Sequence, residues 1–125
     1  MASGSRHPTG GSRNTAISNM VVRVTSEYTG RGPTQAHTHE SGNVITVVLQ
    51  DTLTKGERAL VAHGRDDLVL TTRKVFQGTM RIDLTAGIKA ITGRDVVAFM
   101  SDNHIDPDMA AEIFVLGPEH AEPAG

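Results

Sequence analysis

Two histidines at alternate positions, His37 and His39, are the first residues whose spacing suggests chemistry. Residues two apart on a β-strand project to the same face, so both imidazoles would reach one metal ion. Glu40 follows directly but would point to the other face. Two ligands are too few for a closed metal site, and an exposed polar edge strand gives the same pattern. We therefore predict no metal site here.

A second polar segment lies late in the chain and contains Asp102, Asn103, His104, Asp106 and Asp108. Its carboxylates are the oxygen ligands that magnesium and calcium prefer, but their spacing is not that of an EF-hand. Asp, Asn and Pro are also the residues that an ordinary turn requires. The segment is thus a structural turn, a loop that binds a partner, or a metal site. We take it as a candidate partner-binding loop.

The tripeptide Thr-Gly-Arg occurs twice, at residues 29–31 and 92–94. Each copy stands where a predicted helix ends and a predicted β-hairpin begins. If the two copies are related by pseudo-symmetry, Arg31 and Arg94 form a candidate anion-binding pair. The alternatives are solvated surface arginines, or arginines that bond to helix C-terminal carbonyls.

No catalytic constellation emerges from the remaining motifs. The chain lacks the GxSxG turn of hydrolases and the GxGxxG and GxxxxGK[ST] loops of nucleotide sites. It has no cysteine, which excludes a thiolate nucleophile and Cys-ligated metals. We expect no enzyme, no catalytic residue and no cofactor.

Composition predicts one small soluble domain. The chain has 125 residues, of which 38% are apolar, and a formal charge of -2, which gives no bias toward nucleic acid. It contains no apolar run of the roughly 20 residues that would span a bilayer. We expect a cytoplasmic protein without direct membrane insertion, with a domain over residues 15–117 and disordered tails at 1–14 and 118–125.

The first half of the chain predicts a helix and a hairpin. An apolar pattern of helical period favours a helix over about residues 15–28, with Asn14 or Thr15 as its N-cap. Strand-like segments at 35–40 and 44–50 then flank a three-residue turn. The second of these strands is apolar on both faces, so we expect both faces to be covered.

The second half repeats this order. Thr54 and Glu57 have the spacing of a capping box, which predicts a helix start, and a break is expected at residues 63–65. A long helix follows, and its predicted apolar stripe is Leu68, Thr72, Phe76, Met80, Leu84, Ile88 and Ile91. Gly78 and Gly87 lie within it, and close approach of a neighbour is one reason for them. A second hairpin is predicted from strands at 96–102 and 109–116.

Together these segments predict an α+β fold, a tandem α-ββ-α-ββ arrangement with a four-stranded antiparallel sheet, one short and one long helix. An internal duplication explains the repeated order better than coincidence does. Two helices cover one face of such a sheet. The other, apolar face predicts a homodimer, unless a long loop or the break at 63–65 folds over it.

Three motifs occur in order and resemble a bacterial family, and they are residues 27–33, 53–58, and 97–108 leading into 114–116. The family is an MpsC-like domain of unknown function, named for the C component of a sodium-translocating, membrane-potential-generating system. The resemblance implies a soluble domain, without established catalytic residues, that is associated with a membrane system of cation movement and inorganic carbon uptake. It implies a membrane-transport protein as partner.

Two functional hypotheses follow. The first is a non-enzymatic accessory or regulatory subunit that acts by protein contact, with the apolar sheet face for dimerisation and the 102–108 loop for a partner. The second is a small-ligand or metal-ion sensor with a site between the hairpins, near His37, His39 and His104.

Overall fold

A computed structural model describes residues 10–33 and 35–119 of the chain. These residues form three helices and four strands, which follow one another in the order α-β-β-α-α-β-β. Their bounds are α1 Gly10–Thr29, β1 Gln35–Ser41, β2 Val44–Gln50, α2 Lys55–Ala62, α3 Asp66–Thr92, β3 Val96–His104 and β4 Met109–Leu116.

The four strands form one antiparallel sheet in the order β1-β2-β4-β3, so the second strand of each hairpin lies in the centre. Helix α1 packs on β1, α3 packs on β3, and the two helices pack against each other on the same face. The fold is therefore α+β, as the sequence predicts. Its core is aliphatic apart from Phe114. The ring centroids of Phe114 and Phe99 lie 5.1 Å apart.

The two halves of the chain share local geometry as well as topology. Gly30 and Gly93 adopt positive φ of 77° and 74° after their helices, the conformation that glycine tolerates best. Thr29 and Thr92 each donate from Oγ1 to the carbonyl four residues earlier, and each accepts the amide of the arginine two residues later. The positive φ and these two hydrogen bonds of the predicted hinge are thus repeated in both copies.

Helix α1 begins five residues earlier than the sequence predicts. Asn14 and Thr15 are inside the helix rather than at its N-cap, and Thr15 bonds back to the carbonyl of Gly11. The early turns lack an apolar stripe, but Arg13 donates two hydrogen bonds to Glu40 on β1, at 2.7 and 3.0 Å. This tertiary contact stabilises the first turns of α1, which the local sequence pattern does not predict as helix. Residues 1–9 and 120–125, most of the two predicted tails, lie outside the described residues.

The second helical region confirms the capping box and the break. Thr54 Oγ1 accepts the amide of Glu57, the Glu57 carboxylate accepts the amide of Thr54, and α2 ends before residues 63–65. The predicted stripe of α3 is wrong in its first half, where Leu68 and Thr72 are exposed. The buried positions of α3 are Val69, Arg73, Gln77, Met80, Leu84, Ile88 and Thr92.

The two glycines of α3 have different surroundings. A Cβ built on Gly87 would lie 2.5 Å from Sδ of Met20, so α1 approaches α3 too closely there for a side chain. A Cβ built on Gly78 meets no atom within 4 Å. Close approach of a neighbour is confirmed for Gly87, whereas no contact within the described residues accounts for Gly78.

We therefore expect opposite effects from two alanine substitutions. Gly78→Ala should raise the free energy of unfolding by up to ~1 kcal/mol, because alanine favours an open helical position. Gly87→Ala should lower it, because the buried Met20 must shift. Urea unfolding followed by circular dichroism measures both values. Equal stabilisation by the two substitutions would contradict the close α1–α3 approach.

Candidate functional site

The structure separates the histidines of the proposed sensor site. His37 and His39 are exposed on β1, at one edge of the sheet, whereas His104 lies on β3 at the other edge. Two central strands stand between them, which corresponds to roughly 14 Å. Among residues 10–33 and 35–119, no group of three His, Cys, Asp or Glu residues is arranged to hold a metal ion.

The candidate partner-binding loop is shorter than predicted. Asp102, Asn103 and His104 belong to strand β3, which leaves only residues 105–108 as a turn. Asp106 is exposed in this turn, and His104 Nδ1 lies 2.8 Å from the carbonyl of Pro107. The strand is longer than expected because its last residues pair in register with β4.

Asp108 binds the segment that follows β2 through hydrogen bonds. Its Oδ1 accepts from the amide and the hydroxyl of Thr52, at 3.0 and 2.9 Å, and its Oδ2 accepts from the amide of Leu53 at 2.9 Å. Its carbonyl accepts the amide of Asp51. The start of β4 is thereby tied to the segment that follows β2, so this carboxylate is engaged within the chain.

Arg31 and Arg94 are not brought together. Arg31 donates to the carbonyls of Asp51 and Leu53 and to the Asp51 carboxylate, while Arg94 donates twice to the carbonyl of Gly117. Each guanidinium thus holds the chain just after the second strand of its own hairpin. Because β2 and β4 are antiparallel, these points lie at opposite ends of the sheet, roughly 30 Å apart.

One face of the sheet is covered by helices and the other is open. In β2 and β4, side chains alternate between buried and half-buried, and the half-buried set faces away from the helices. Helix α2, which follows β2, packs on α3 and leaves this face open. The open face, as defined by the strand register, has an apolar centre of Val44, Val48, Met109, Ala111, Ile113 and Val115, with Thr46 among them.

The two edges of the open face differ in chemistry. His37 and His39 project from β1, opposite Val48 and Thr46. Asp102 and His104 project from β3 at the far edge, opposite Ala111 and Met109. The open face is therefore an apolar strip with two imidazoles along one side and an imidazole and a carboxylate along the other.

Sequence patterns miss a polar cluster on the helix-covered side. Arg73 is 6% exposed and donates to both oxygens of Glu57, at 2.7 and 2.6 Å. It also donates to the hydroxyl and the carbonyl of Thr52, at 2.9 and 2.7 Å. The pKa of Glu57 is lowered, because the bonds from Arg73 and Thr54 outweigh a burial that acts to raise it.

A second carboxylate, Glu112, lies deeper in this cluster and is 2% exposed. Ser101 and Gln77 bond to it. Burial raises the pKa of Glu112 to about 7, although these bonds and the charge of Arg73 act to lower it. The group is therefore partly protonated at neutral pH.

The sequence positions of these polar residues could have predicted that they face inward. Arg73 and Gln77 continue the four-residue spacing from Val69 along the buried side of α3. Glu112 alternates with Ala110 and Phe114 on the inward side of β4. Because charged and polar residues are rarely buried without a partner, the sequence pattern predicts that these residues are exposed.

One family model matches the chain over residues 9–117, and its description is Na+-translocating membrane potential-generating system (MpsC). No curated protein and no solved structure matches the chain. None of the helices in the described part of the chain combines the length and the apolar character that crossing a bilayer requires.

Replacing Arg73 with methionine should destabilise the fold by about 3–5 kcal/mol, because Glu57 would be left partly buried without its countercharge. Adding Glu57→Gln to this variant should recover part of the loss. Urea unfolding of the two single variants and the double variant measures the coupling. Additive losses would contradict a direct ion pair.

Glu112 should make stability depend on pH. Its folded pKa lies above the ordinary value of 4.5, so the folded state binds the proton more tightly and stability falls as pH rises between about 4.5 and 7. Glu112→Gln should match the wild type near pH 4 and exceed it at pH 8 by up to about 3 kcal/mol. Unfolding at both pH values provides the measurement, and an unchanged difference between the two proteins would contradict the shift.

Proposed function

The chain belongs to the MpsC family, and on that premise we propose that it is a non-enzymatic accessory or regulatory subunit that acts by protein contact. The description of the family names a Na+-translocating membrane system, which supports a membrane-transport protein as the partner. The formal charge of -2 and the absence of cysteine favour a cytoplasmic protein without nucleic-acid partners.

The observation that carries this proposal is the open face of the sheet. A sheet that is packed on one side normally shows polar residues on the other, yet the centre of this face is aliphatic. A contiguous apolar surface of this kind marks a protein contact. We propose that a second copy of the chain covers it and that the protein is a homodimer.

The size of the open face suits a dimer. Four strands of about eight residues give a surface of roughly 19 by 26 Å, so two copies packed face to face bury on the order of 1,000 Å². That area is at the lower limit for a specific interface. The protein contact is therefore expected to be reversible.

Hydrogen-bonding complementarity favours one orientation of the two copies. A two-fold axis parallel to the strands lays β1 of one copy over β3 of the other. This arrangement places His37 and His39 of each copy near Asp102 of its partner. The alternative axis, perpendicular to the strands, would lay β1 over β1 and place the histidines against one another.

The sensor hypothesis finds less support. Its three histidines lie at opposite edges of the sheet. We therefore propose no metal or small-ligand site between the hairpins.

Replacing Ile113 with lysine tests the dimer. A charge at the centre of the open face should weaken association by roughly 100-fold or more, because it would be buried without a partner. Size-exclusion chromatography with light scattering, over a range of concentrations, measures the change.

Val75→Lys is the matched control, since Val75 is 64% exposed on α3 and lies away from the open face. This control should leave the dimer intact, and circular dichroism should show both variants folded. A wild-type protein that stays monomeric at high concentration, or a dimer that Ile113→Lys does not affect, would overturn the proposed interface.

A further inference from the structure

Two adjoining cavities lie along strand β3 and the neighbouring helix α3. The larger has a volume of about 570 Å³ and the smaller about 160 Å³, and both are lined by Lys74, Gln77 and Ser101. Gly78 and Arg81 complete the smaller one together with Phe99. The two cavities form one continuous groove, which we call the α3–β3 groove.

The groove passes around the outer edge of β3. Its lining includes Leu70 and Lys74 from α3, on the helix-covered side of the sheet. It also includes Met100, Ala111 and Ile113, which the strand register assigns to the open face. A ligand in the groove would therefore touch both faces of the sheet, as an added strand does.

Strand β3 is an outer strand of the sheet and has nine residues. One side of its backbone has no neighbouring strand in the described part of the chain. Such an edge presents amides and carbonyls that can pair with an extended peptide. The groove lies along residues 99–103 of this edge, which corresponds to about 13 Å and to four or five residues of extended chain.

Two cations on α3 and one carboxylate, Asp102 on β3, line the groove, so its formal charge is positive by one. Lys74 and Arg81 line it from α3, and neither forms an ion pair with a described residue. Arg81 lies over the ring of Phe99, with its guanidinium carbon 5.8 Å from the ring centroid. The two cations are seven residues apart, which places them about 10 Å apart along the helix. They are positioned to bind carboxylates of a bound segment.

One further feature suits an extended occupant. Gly78 leaves the groove open beside α3, where a Cβ would meet no atom of the chain. The glycine thus gives an incoming backbone room to approach.

We propose that the α3–β3 groove binds an extended acidic segment of a partner protein, which pairs with the edge of β3 as a fifth strand. Lys74 and Arg81 bind the carboxylates of the segment. This inference rests on the proposed role in protein contact and gives the chemistry of the partner. The peptide pairs with the edge of β3, and the groove borders the open face at Met100, Ala111 and Ile113. Dimerisation is therefore measured beside peptide binding in every variant.

The test begins with a displayed library of random heptapeptides selected on the full-length wild-type chain. The selected sequences should be enriched in Asp and Glu. One selected peptide, labelled with fluorescein, is then titrated with protein in an anisotropy assay. NMR shift changes should map to β3 and to the 70–81 segment of α3.

Two variants test the role of charge. Lys74→Glu combined with Arg81→Glu should weaken binding of the selected peptide at least tenfold. The control, Arg23→Glu combined with Lys55→Glu, reverses two exposed cations elsewhere and should change affinity less than twofold. Light scattering on all proteins reports whether the dimer persists, which separates this proposal from the dimer interface.

A modified peptide tests strand pairing without altering the protein. The same peptide with N-methyl groups at alternate residues keeps its carboxylates but cannot donate along the edge, and it should bind at least tenfold more weakly. Equal binding of the methylated peptide, or its full displacement by millimolar inorganic phosphate, would show a simple anion site and overturn strand addition. Selection without acidic enrichment, or equal losses in the control variant, would overturn the groove assignment.

Discussion

The buried guanidinium of Arg73 is the interaction on which the arrangement of the rest depends. It joins α3 to the α2 capping box through Glu57 and to the segment after β2 through Thr52. The Thr52 hydroxyl then donates to Asp108 at the start of β4. One side chain thus links the helices to the two central strands, and each of these buried polar groups is paired, as low-dielectric surroundings require.

This polar cluster also explains how the fold keeps two surfaces for contact. With the cluster and the aliphatic core on one side, the sheet is held by its helices, and its other face is left for contact with a partner. The open face and the α3–β3 groove then meet at β3, where Asp102 projects to the open face and Ser101 bonds to Glu112 on the covered side. The outer strand is therefore shared by both proposed contacts. The pairing of β3 with β4 and the bond from Ser101 to Glu112 hold this strand in place for both contacts.

The two copies of the repeat share their topology but differ in the hydrogen bonds that their arginines make. Both Thr-Gly-Arg hinges end a helix and anchor an arginine to the end of a strand. In the first copy the arginine also binds Asp51, which has φ of 58° and bonds to Arg58 as well. In the second copy, Arg94 donates twice to the carbonyl of Gly117. Local chemistry thus diverges where the topology does not.

Sequence alone determined the order of elements, both central strands, the helix stops at Gly30 and Gly93 and the capping box at Thr54, because these follow from periodicity and local hydrogen bonding. It did not determine the early start of α1 or the buried side of α3. Those depend on partners distant in the chain: Glu40 supports Arg13, and Glu57 with Thr52 lets Arg73 face inward. Tertiary structure likewise separated Arg31 from Arg94 and His37 from His104, because strand order places them at opposite ends or edges of the sheet.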